Sequence, residues 1–222
     1  MSENGVWRTV GGRRIFIKDG QELGDAMKES GKFKNLAKTE KPKSEFGNRE
    51  PEQFAKDVEA AKKTLDPSIA WRVTAHTVEE LKEWYPDATF HTTEGGSTVA
   101  VTKDGDIISV CKYKDDTCKG RDLLAMAVQN GGIKLDSYDG NHVFYDKCGF
   151  EPVSWCKWDD EYKPDGWKAP CKREDIIFYK YVGVGKTSGM TEKDFKTAVP
   201  ASKDYDSAQQ ARDEALKKET EK

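Results

Sequence analysis

Alternating apolar and polar residues predict that the chain begins with a β-hairpin. Two such runs span residues 6–17 and flank Gly11-Gly12, a pair typical of a two-residue turn. A short helix is predicted around Leu23–Glu29. The following stretch, residues 32–49, is rich in Lys and indicates a linker.

The next segment changes from a helical to an extended pattern. Apolar residues recur on one face over Pro51–Leu65, which predicts an amphipathic helix with Pro in its first turn. Ala70–Ala75 favours a strand. Thr77 precedes Glu80 by three residues, and this spacing predicts a capping box at the start of a helix over Val78–Tyr85.

The central part of the chain alternates short strands with two helices. Strands are predicted over residues 88–93, 97–102, 107–113, 133–135, 150–155 and 176–182, and helices over 122–129 and 142–147. The order β-α-β-β-β-α-β-α-β-β predicts an α/β fold with a mixed, mostly antiparallel twisted sheet flanked by helices. Antiparallel hairpins come first, and one strand–helix–strand crossover lies near the middle.

Beyond Gly183 the sequence becomes polar. Residues Asp204–Lys222 predict a solvated helix or a frayed tail. Gly183–Thr187 resembles the end of a phosphate-binding P-loop, but the first glycine of that motif would fall on Lys180, so we interpret it as a linker. We divide the sequence into an N-terminal hairpin, helix and linker, a leading helix, a folded domain and a polar C-terminal segment, over residues 1–49, 50–68, 69–183 and 184–222.

Composition argues against two classes of partner, nucleic acids and membranes. The 222 residues carry a formal net charge of -3, so no strong basic field exists to hold a nucleic acid. No apolar run approaches the roughly 20 residues that a membrane span needs. The first residues lack the pattern of a signal peptide, and we expect a cytoplasmic protein.

The cysteines favour free thiols over disulfides or zinc ligands. Their number is odd, their spacing is irregular, and no CxxC pair is present. We expect no metal site. The five are Cys111, Cys118, Cys148, Cys156 and Cys171.

Two stretches resemble the GNAT N-acetyltransferase superfamily. Residues 120–127 read GRDLLAMA and follow a predicted strand, while residues 144–150 read FYDKCGF and are similar to the family's FYxKxGF signature. The resemblance covers about residues 69–183. It implies a GNAT-like fold and transfer of an acetyl group from acetyl-CoA to an amine.

The first stretch also has the physical properties of an anion site. A loop that leads from a strand into a helix N-terminus presents unpaired backbone N–H groups and a positive dipole end. The resemblance assigns this site to the pyrophosphate of coenzyme A. The expected cofactor-binding residues are Val110, Cys111, Lys119, Gly120, Arg121 and Asp122.

The loop departs from the family's Arg/Gln-x-x-Gly-x-Gly/Ala pattern. Gly120 takes the last position, which puts Asp115 in the first and Cys118 in the middle. Asp115 and Asp116 bring negative charge to the expected phosphate site. The alternative is therefore a binding module that keeps the scaffold without cofactor, acting in a phage particle or on a host protein.

The resemblance also implies catalytic roles. Tyr145 would stand near the coenzyme sulfur and protonate the leaving thiolate. A backbone N–H within Ser109–Cys111 would polarise the thioester carbonyl. Aromatic side chains between the last two strands would shape the acceptor pocket, with Trp158 and Trp167 as the candidates.

The general base and the acceptor stay open at this point. Glu94 stands first among the candidate bases, beside His91, Asp106 and Asp136. The acidic sequence favours a basic acceptor such as a polyamine, an aminoglycoside, or a protein Lys or N-terminus. An acyltransferase with a different donor, or one that uses Cys111 or Cys148 as nucleophile, is the other alternative.

A second, shorter resemblance concerns the N-terminal segment. Residues 7–34 are similar to a segment of minor head or virion-associated proteins of tailed phages and prophages. It implies a phage-derived protein in a bacterial host. Virion or host proteins are then possible partners, and the location is cytoplasmic or virion-associated.

Overall fold

A computed structural model describes residues 5–10, 13–18, 46–183 and 185–220. The chain divides into two compact units, residues 1–43 and residues 44–222. In the first unit, β1 (Gly5–Val10) pairs antiparallel with β2 (Arg13–Lys18). These strands confirm the predicted hairpin, while its two turn glycines and the helix predicted over Leu23–Glu29 lie outside the described residues.

The second unit alternates helices and short strands, and it confirms the α/β fold class. Its elements in chain order are α1 (Pro51–Lys63), α2 (Pro67–Ala70), α3 (Val78–Trp84), β3 (Thr89–Thr92), β4 (Thr98–Val101), β5 (Ile107–Cys111), α4 (Gly120–Gln129), β6 (Lys134–Tyr138), α5 (His142–Lys147), β7 (Phe150–Cys156), β8 (Ile176–Tyr181), α6 (Glu192–Ala198) and α7 (Tyr205–Thr220). Single 3₁₀ turns lie at Asp139–Asn141 and Asp160–Tyr162.

Two three-stranded antiparallel sheets meet at one point. Their strand orders are β3-β4-β5 and β6-β8-β7. An isolated parallel bridge joins Asp106, just before β5, to Lys134 at the start of β6. Because β5 and β6 belong to different sheets beyond this bridge, the strands are not paired over the rest of their length. We call the opening between them the wedge.

Helices cover both faces of the sheets. Leu123, Leu124 and Ala127 of α4 join Tyr145 of α5 in the larger core cluster, which also takes side chains from five strands. A second cluster joins α1 and α3 to β3 and β4 and includes the buried Phe54. The predicted capping box is confirmed, since Thr77 Oγ1 accepts from the Glu80 N–H and the Glu80 carboxylate accepts from the Thr77 N–H.

The strand predicted over Ala70–Ala75 is wrong. Its first residue ends α2, and the following residues form a turn without strand pairing. The Asp66 carboxylate accepts the Ser68 N–H at 2.8 Å, and Pro67 supplies the fixed φ of a first helical turn. Trp71 is 2% exposed and donates its Nε1–H to the Ser68 carbonyl, so its side chain locks the turn.

The C-terminal segment is helical, but the prediction that it is solvated is wrong. In α7, Ala208 and Arg212 are both 0% exposed, and the Ser154 hydroxyl of β7 donates to the Ala208 carbonyl. Helix α6 was missed, although Thr191 and Asp194 form a capping box at its start and Phe195 is buried. None of the helices within the described ranges is long and apolar enough to cross a bilayer.

Candidate active site

A β-bulge distorts the β5 wall of the wedge. Ala100 pairs with Ile108 and Thr98 with Cys111, so two residues of β5 face one residue of β4. Within the bulge, Ser109 has φ +53°, a conformation that costs a non-glycine residue roughly 1–3 kcal/mol. The Ser109 hydroxyl is buried and has no hydrogen-bond partner among the described residues. The bulge lies on the segment for which a carbonyl-polarising backbone N–H was predicted.

Strand β6 forms the wall of the wedge opposite β5, and its side chains point to both faces of its sheet. Asp136 and Ser137 are consecutive residues of the strand, so their side chains leave opposite faces. Ser137 Oγ accepts from Asn141 Nδ2 at 3.0 Å, and this side chain acts to lower the pKa of Tyr145 of α5. Asp136 hydrogen-bonds on the other face, with Tyr205 of α7.

Tyr145 is enclosed by aromatic rings. Its ring centroid lies 5.5 Å from that of Tyr179 and 6.2 Å from that of Phe150, and the residue is 8% exposed. Burial raises the pKa of the Tyr145 phenol to about 12. The hydroxyl therefore stays protonated at neutral pH and can donate a hydrogen bond.

The loop after β5 is braced from within. Lys112 Nζ donates to the carbonyl oxygens of Tyr113, Lys114 and Asp116 at 3.0–3.2 Å. The Lys114 N–H donates to Thr64 Oγ1 at 3.0 Å, which ties the loop to the end of α1. A cavity of about 430 Å³ lies between the two segments and is lined by Thr64, Leu65, Asp66, Lys112 and Lys114.

The Asp116 carboxylate accepts hydrogen bonds from this loop and from the β3–β4 turn. Oδ1 accepts the Cys118 N–H at 2.9 Å, and Oδ2 accepts from the Ser97 N–H and the Thr93 hydroxyl. Burial acts to raise the pKa of Asp116, but hydrogen bonds from Ser97 and Thr93 outweigh it and lower the pKa. Asp115, by contrast, is exposed. The negative charge predicted for this loop is thus partly used to hold the loop together.

Two donors at the start of α4 remain available. The Lys119 N–H is taken by Asp122 Oδ2 at 3.1 Å. The N–H groups of Gly120 and Arg121 lie in the first helical turn, where no intrahelical acceptor exists, and no other described residue accepts them. The loop thus brings the predicted residues Lys119–Asp122 together. The backbone N–H groups of Gly120 and Arg121 are open, whereas carboxylates accept those of Cys118 and Lys119.

The remaining predicted site residues lie elsewhere. Glu94 is exposed in the β3–β4 turn, next to Gly95, whose Cα faces the Asp116 carboxylate. The ring centroids of Trp158 and Trp167 lie 5.4 Å apart with the planes tilted by 45°, and both residues belong to an aromatic cluster around Trp71. Their indole N–H groups bind Asp160 and the Lys172 carbonyl, within the loop itself. The structure does not bring Glu94 together with the two Trp residues.

A buried group of charges lies on the α7 side of the wedge. Arg212 is 0% exposed and donates to Asp106 Oδ2 at 2.8 Å. Burial and the nearby Asp106 raise the pKa of Asp136 to about 6, although Arg212 and the Tyr205 hydrogen bond oppose this. The sequence had named Asp106 and Asp136 but not their partners, because α7 has a weakly apolar pattern that gave no sign of burial.

Of the other candidate nucleophile and base residues, Cys111 and His91 are buried and Cys148 is partly exposed. All five cysteines are free, and burial raises the pKa of Cys111 to about 11 and also raises that of Cys148. His91 is 0% exposed and stacks on Phe46 at 5.0 Å. The described ranges hold no group of three or more His, Cys, Asp or Glu that could bind a metal ion.

Comparisons with known proteins leave the family unassigned. No family model matches the chain, no curated protein matches it, and no solved structure matches it.

Proposed function

We propose that the second unit is an acetyl-CoA-dependent N-acetyltransferase. The observation that carries the proposal is the wedge, in which two parallel strands separate after one bridge and one wall is bulged at Ser109. The chain passes from the bulged strand directly into a loop and a helix N-terminus with open N–H groups at Gly120 and Arg121. A thioester in the wedge and its phosphates at α4 would then lie along one continuous groove.

The bulge and Tyr145 have different roles in the proposed reaction, one at the thioester carbonyl and the other at the leaving sulfur. A bulge leaves a residue out of the strand ladder, and a backbone N–H at Ser109 or Val110 would polarise the thioester carbonyl. A coenzyme thiol resembles cysteine with a pKa of about 8.5, well below that of Tyr145, so full proton transfer from the phenol is unfavourable. Tyr145 therefore stabilises the leaving thiolate by donating a hydrogen bond.

One observation favours the alternative, a scaffold that binds a protein partner without cofactor. The carboxylates of Asp116 and Asp122 already occupy the N–H groups of Cys118 and Lys119. A pyrophosphate would have to bind the open donors beside these two negative charges. The proposed link to phage particles or host proteins rests on residues 7–34, most of which lie outside the described residues.

Calorimetric titration with acetyl-CoA separates the two functions. Gly120→Glu adds an anion at the first residue of α4, a position where the helix dipole favours a carboxylate, so the variant should fold. Gly120→Gln is the neutral control of the same shape. Since Phe144 lies 3.1 Å from where a Cβ would stand, both substitutions require the same small shift of that half-exposed ring.

The acetyltransferase predicts micromolar binding to the wild type and to Gly120→Gln, and at least tenfold weaker binding to Gly120→Glu. Equal affinity in both variants would place the phosphates elsewhere. No heat of binding at millimolar acetyl-CoA would overturn the enzyme in favour of the binding module.

A further inference from the structure

Asp136 lies in the wedge, on the wall opposite the bulge. The bridge between Asp106 and Lys134 sets the parallel register, so Asp136 lies level with Ile108 and one residue before the level of Ser109. Neighbouring strands are about 4.8 Å apart where they pair, and the distance grows as these two diverge. A group bound between the strands can therefore contact the bulge and Asp136 at once.

Helix α7 supplies the surroundings of this carboxyl. The Tyr205 hydroxyl donates to Asp136 Oδ1 at 3.0 Å. One face of the same helix carries Arg212, which binds Asp106, and Asp213, which binds Lys134 Nζ at 3.2 Å. The helix thus contacts Asp106, Lys134 and Asp136, although it lies outside the stretch that resembles acetyltransferases.

We propose that Asp136 is the proton acceptor for the attacking amine, and that Tyr205 of α7 sets its proton affinity. This inference rests on the proposed acetyltransferase function. It assigns to α7 a role in the reaction itself, since removal of its hydroxyl changes the pH at which Asp136 can accept a proton.

The amine enters as an ammonium ion and first loses one proton to solvent, which frees the nitrogen lone pair. The Asp136 carboxylate then takes the second proton from the nitrogen as this lone pair forms a bond to the thioester carbonyl carbon. The C–S bond then breaks, and its electron pair leaves on the thiolate, which Tyr145 stabilises until solvent protonates it. Asp136 returns its proton to solvent. The products are an amide and a free thiol, and no oxidant or reductant takes part.

The side chains around Asp136 favour a primary alkylammonium as acceptor. Such an amine has a pKa of about 10.4 and arrives charged, so it pairs with an ionised carboxylate. Tyr138, two residues along β6, packs edge-on against Trp71 at 4.9 Å and offers aromatic surface for the alkyl chain.

Asp136 titrates among several other groups. The titratable and charged side chains that interact with it electrostatically from the neighbouring elements are Tyr85, Asp106, Tyr138, Tyr145, Cys156, Tyr205 and Arg212. Of these, Asp106 raises the pKa of Asp136, whereas Arg212 and Tyr205 lower it. Tyr205→Phe removes a lowering influence without changing charge, so it moves the Asp136 titration to higher pH.

The test is the pH dependence of kcat/KM for transfer from acetyl-CoA to 1,4-diaminobutane. In the wild type, log kcat/KM rises with slope 2 below pH 6, where both the ammonium and Asp136 must lose a proton, and with slope 1 above it. Asp136→Asn leaves slope 1 throughout and lowers kcat/KM at pH 7 by about 100-fold. Tyr205→Phe moves the break upward by at least half a pH unit.

Asp213→Asn is the matched control, because it alters the same face of α7 without touching Asp136. Because it removes a negative charge beside Arg212, it should leave the break at pH 6 or move it below, opposite to Tyr205→Phe. A profile in which Asp136→Asn keeps the break, or in which Tyr205→Phe and Asp213→Asn shift it equally, would overturn the inference.

Calorimetry on the same samples separates the two levels of the proposal. Acetyl-CoA binding with an unchanged profile in Asp136→Asn, or with no turnover of diaminobutane, defeats the role of Asp136 alone. Absence of acetyl-CoA binding to the wild type defeats the acetyltransferase, and the role of Asp136 with it.

Discussion

The carboxylate of Asp116 accepts the backbone N–H of Cys118 at 2.9 Å, two residues further along the loop that leads into α4. The same carboxylate reaches across to the Ser97 N–H of the β3–β4 turn. One acidic side chain therefore fixes the path of the loop. It also sets how many backbone donors are left for a bound anion. The acetyltransferase needs such donors for the phosphates of acetyl-CoA, whereas the binding module does not.

Asp116→Asn should destabilise the protein by about 1–2 kcal/mol, because the amide keeps only one acceptor oxygen and carries no charge, so the donors on the other oxygen lose their acceptor. The folded-state pKa of Asp116 is lowered. Its contribution is therefore present above the unfolded pKa of about 3.9 and is lost as pH falls through the lower folded value. Urea denaturation of both proteins from pH 7 to pH 3 measures this. A difference in unfolding free energy that grows on acidification would contradict it.

Ser109→Gly should stabilise the protein by about 1 kcal/mol, since glycine tolerates φ +53° and the substitution also removes a buried hydroxyl without a partner. Ser109→Val should destabilise it, because a β-branched residue resists this conformation. Thermal unfolding of the three proteins gives the order. If valine matched glycine, the bulge would not hold Ser109 in the left-handed region.

Arg212→Met should cost about 3–5 kcal/mol, because it leaves the Asp106 carboxyl buried without its cation. The double variant Asp106→Leu/Arg212→Met should regain most of this loss, since it removes both charges together. Guanidinium denaturation tests the coupling. Additive losses in the double variant would mean that the two residues do not depend on each other.

Cys111 and Cys156 should resist iodoacetamide at pH 8 in the native protein. They are 1% and 3% exposed, and burial raises the pKa of each thiol to about 11, so little thiolate forms. The less buried Cys171 is the internal control. Peptide mass mapping reads out all three sites. Rapid alkylation of Cys111 would instead support the cysteine-based acyltransferase considered from the sequence.

The elements with strong local signals were predicted from sequence. The Thr77 and Glu80 spacing gave the start of α3, and the apolar face over residues 51–65 gave α1. The failures came where tertiary contacts outweigh local preference. Residues 70–75 have strand-forming side chains, but the Asp66 cap and the buried Trp71 hold a turn.

The candidate site was less predictable than the fold. The loop around Gly120 follows from its motif, but nothing in the sequence marks Ser109 as left-handed, because the bulge arises from pairing with β4. The contacts of Tyr205 and Arg212 could not be foreseen either. Both lie in a charged helix, and their partners are the carboxylates of Asp136 and Asp106, which are distant in sequence.

Release of free thiol from acetyl-CoA, followed with a panel of primary amines, tests the central claim most directly. The acetyltransferase predicts amine-dependent thiol release by the wild type, about tenfold slower release in Tyr145→Phe with acetyl-CoA binding retained, and loss of release in Gly120→Glu. Thiol release that is no faster with protein than without it, across the whole panel, would contradict the assignment of this unit as an acetyltransferase.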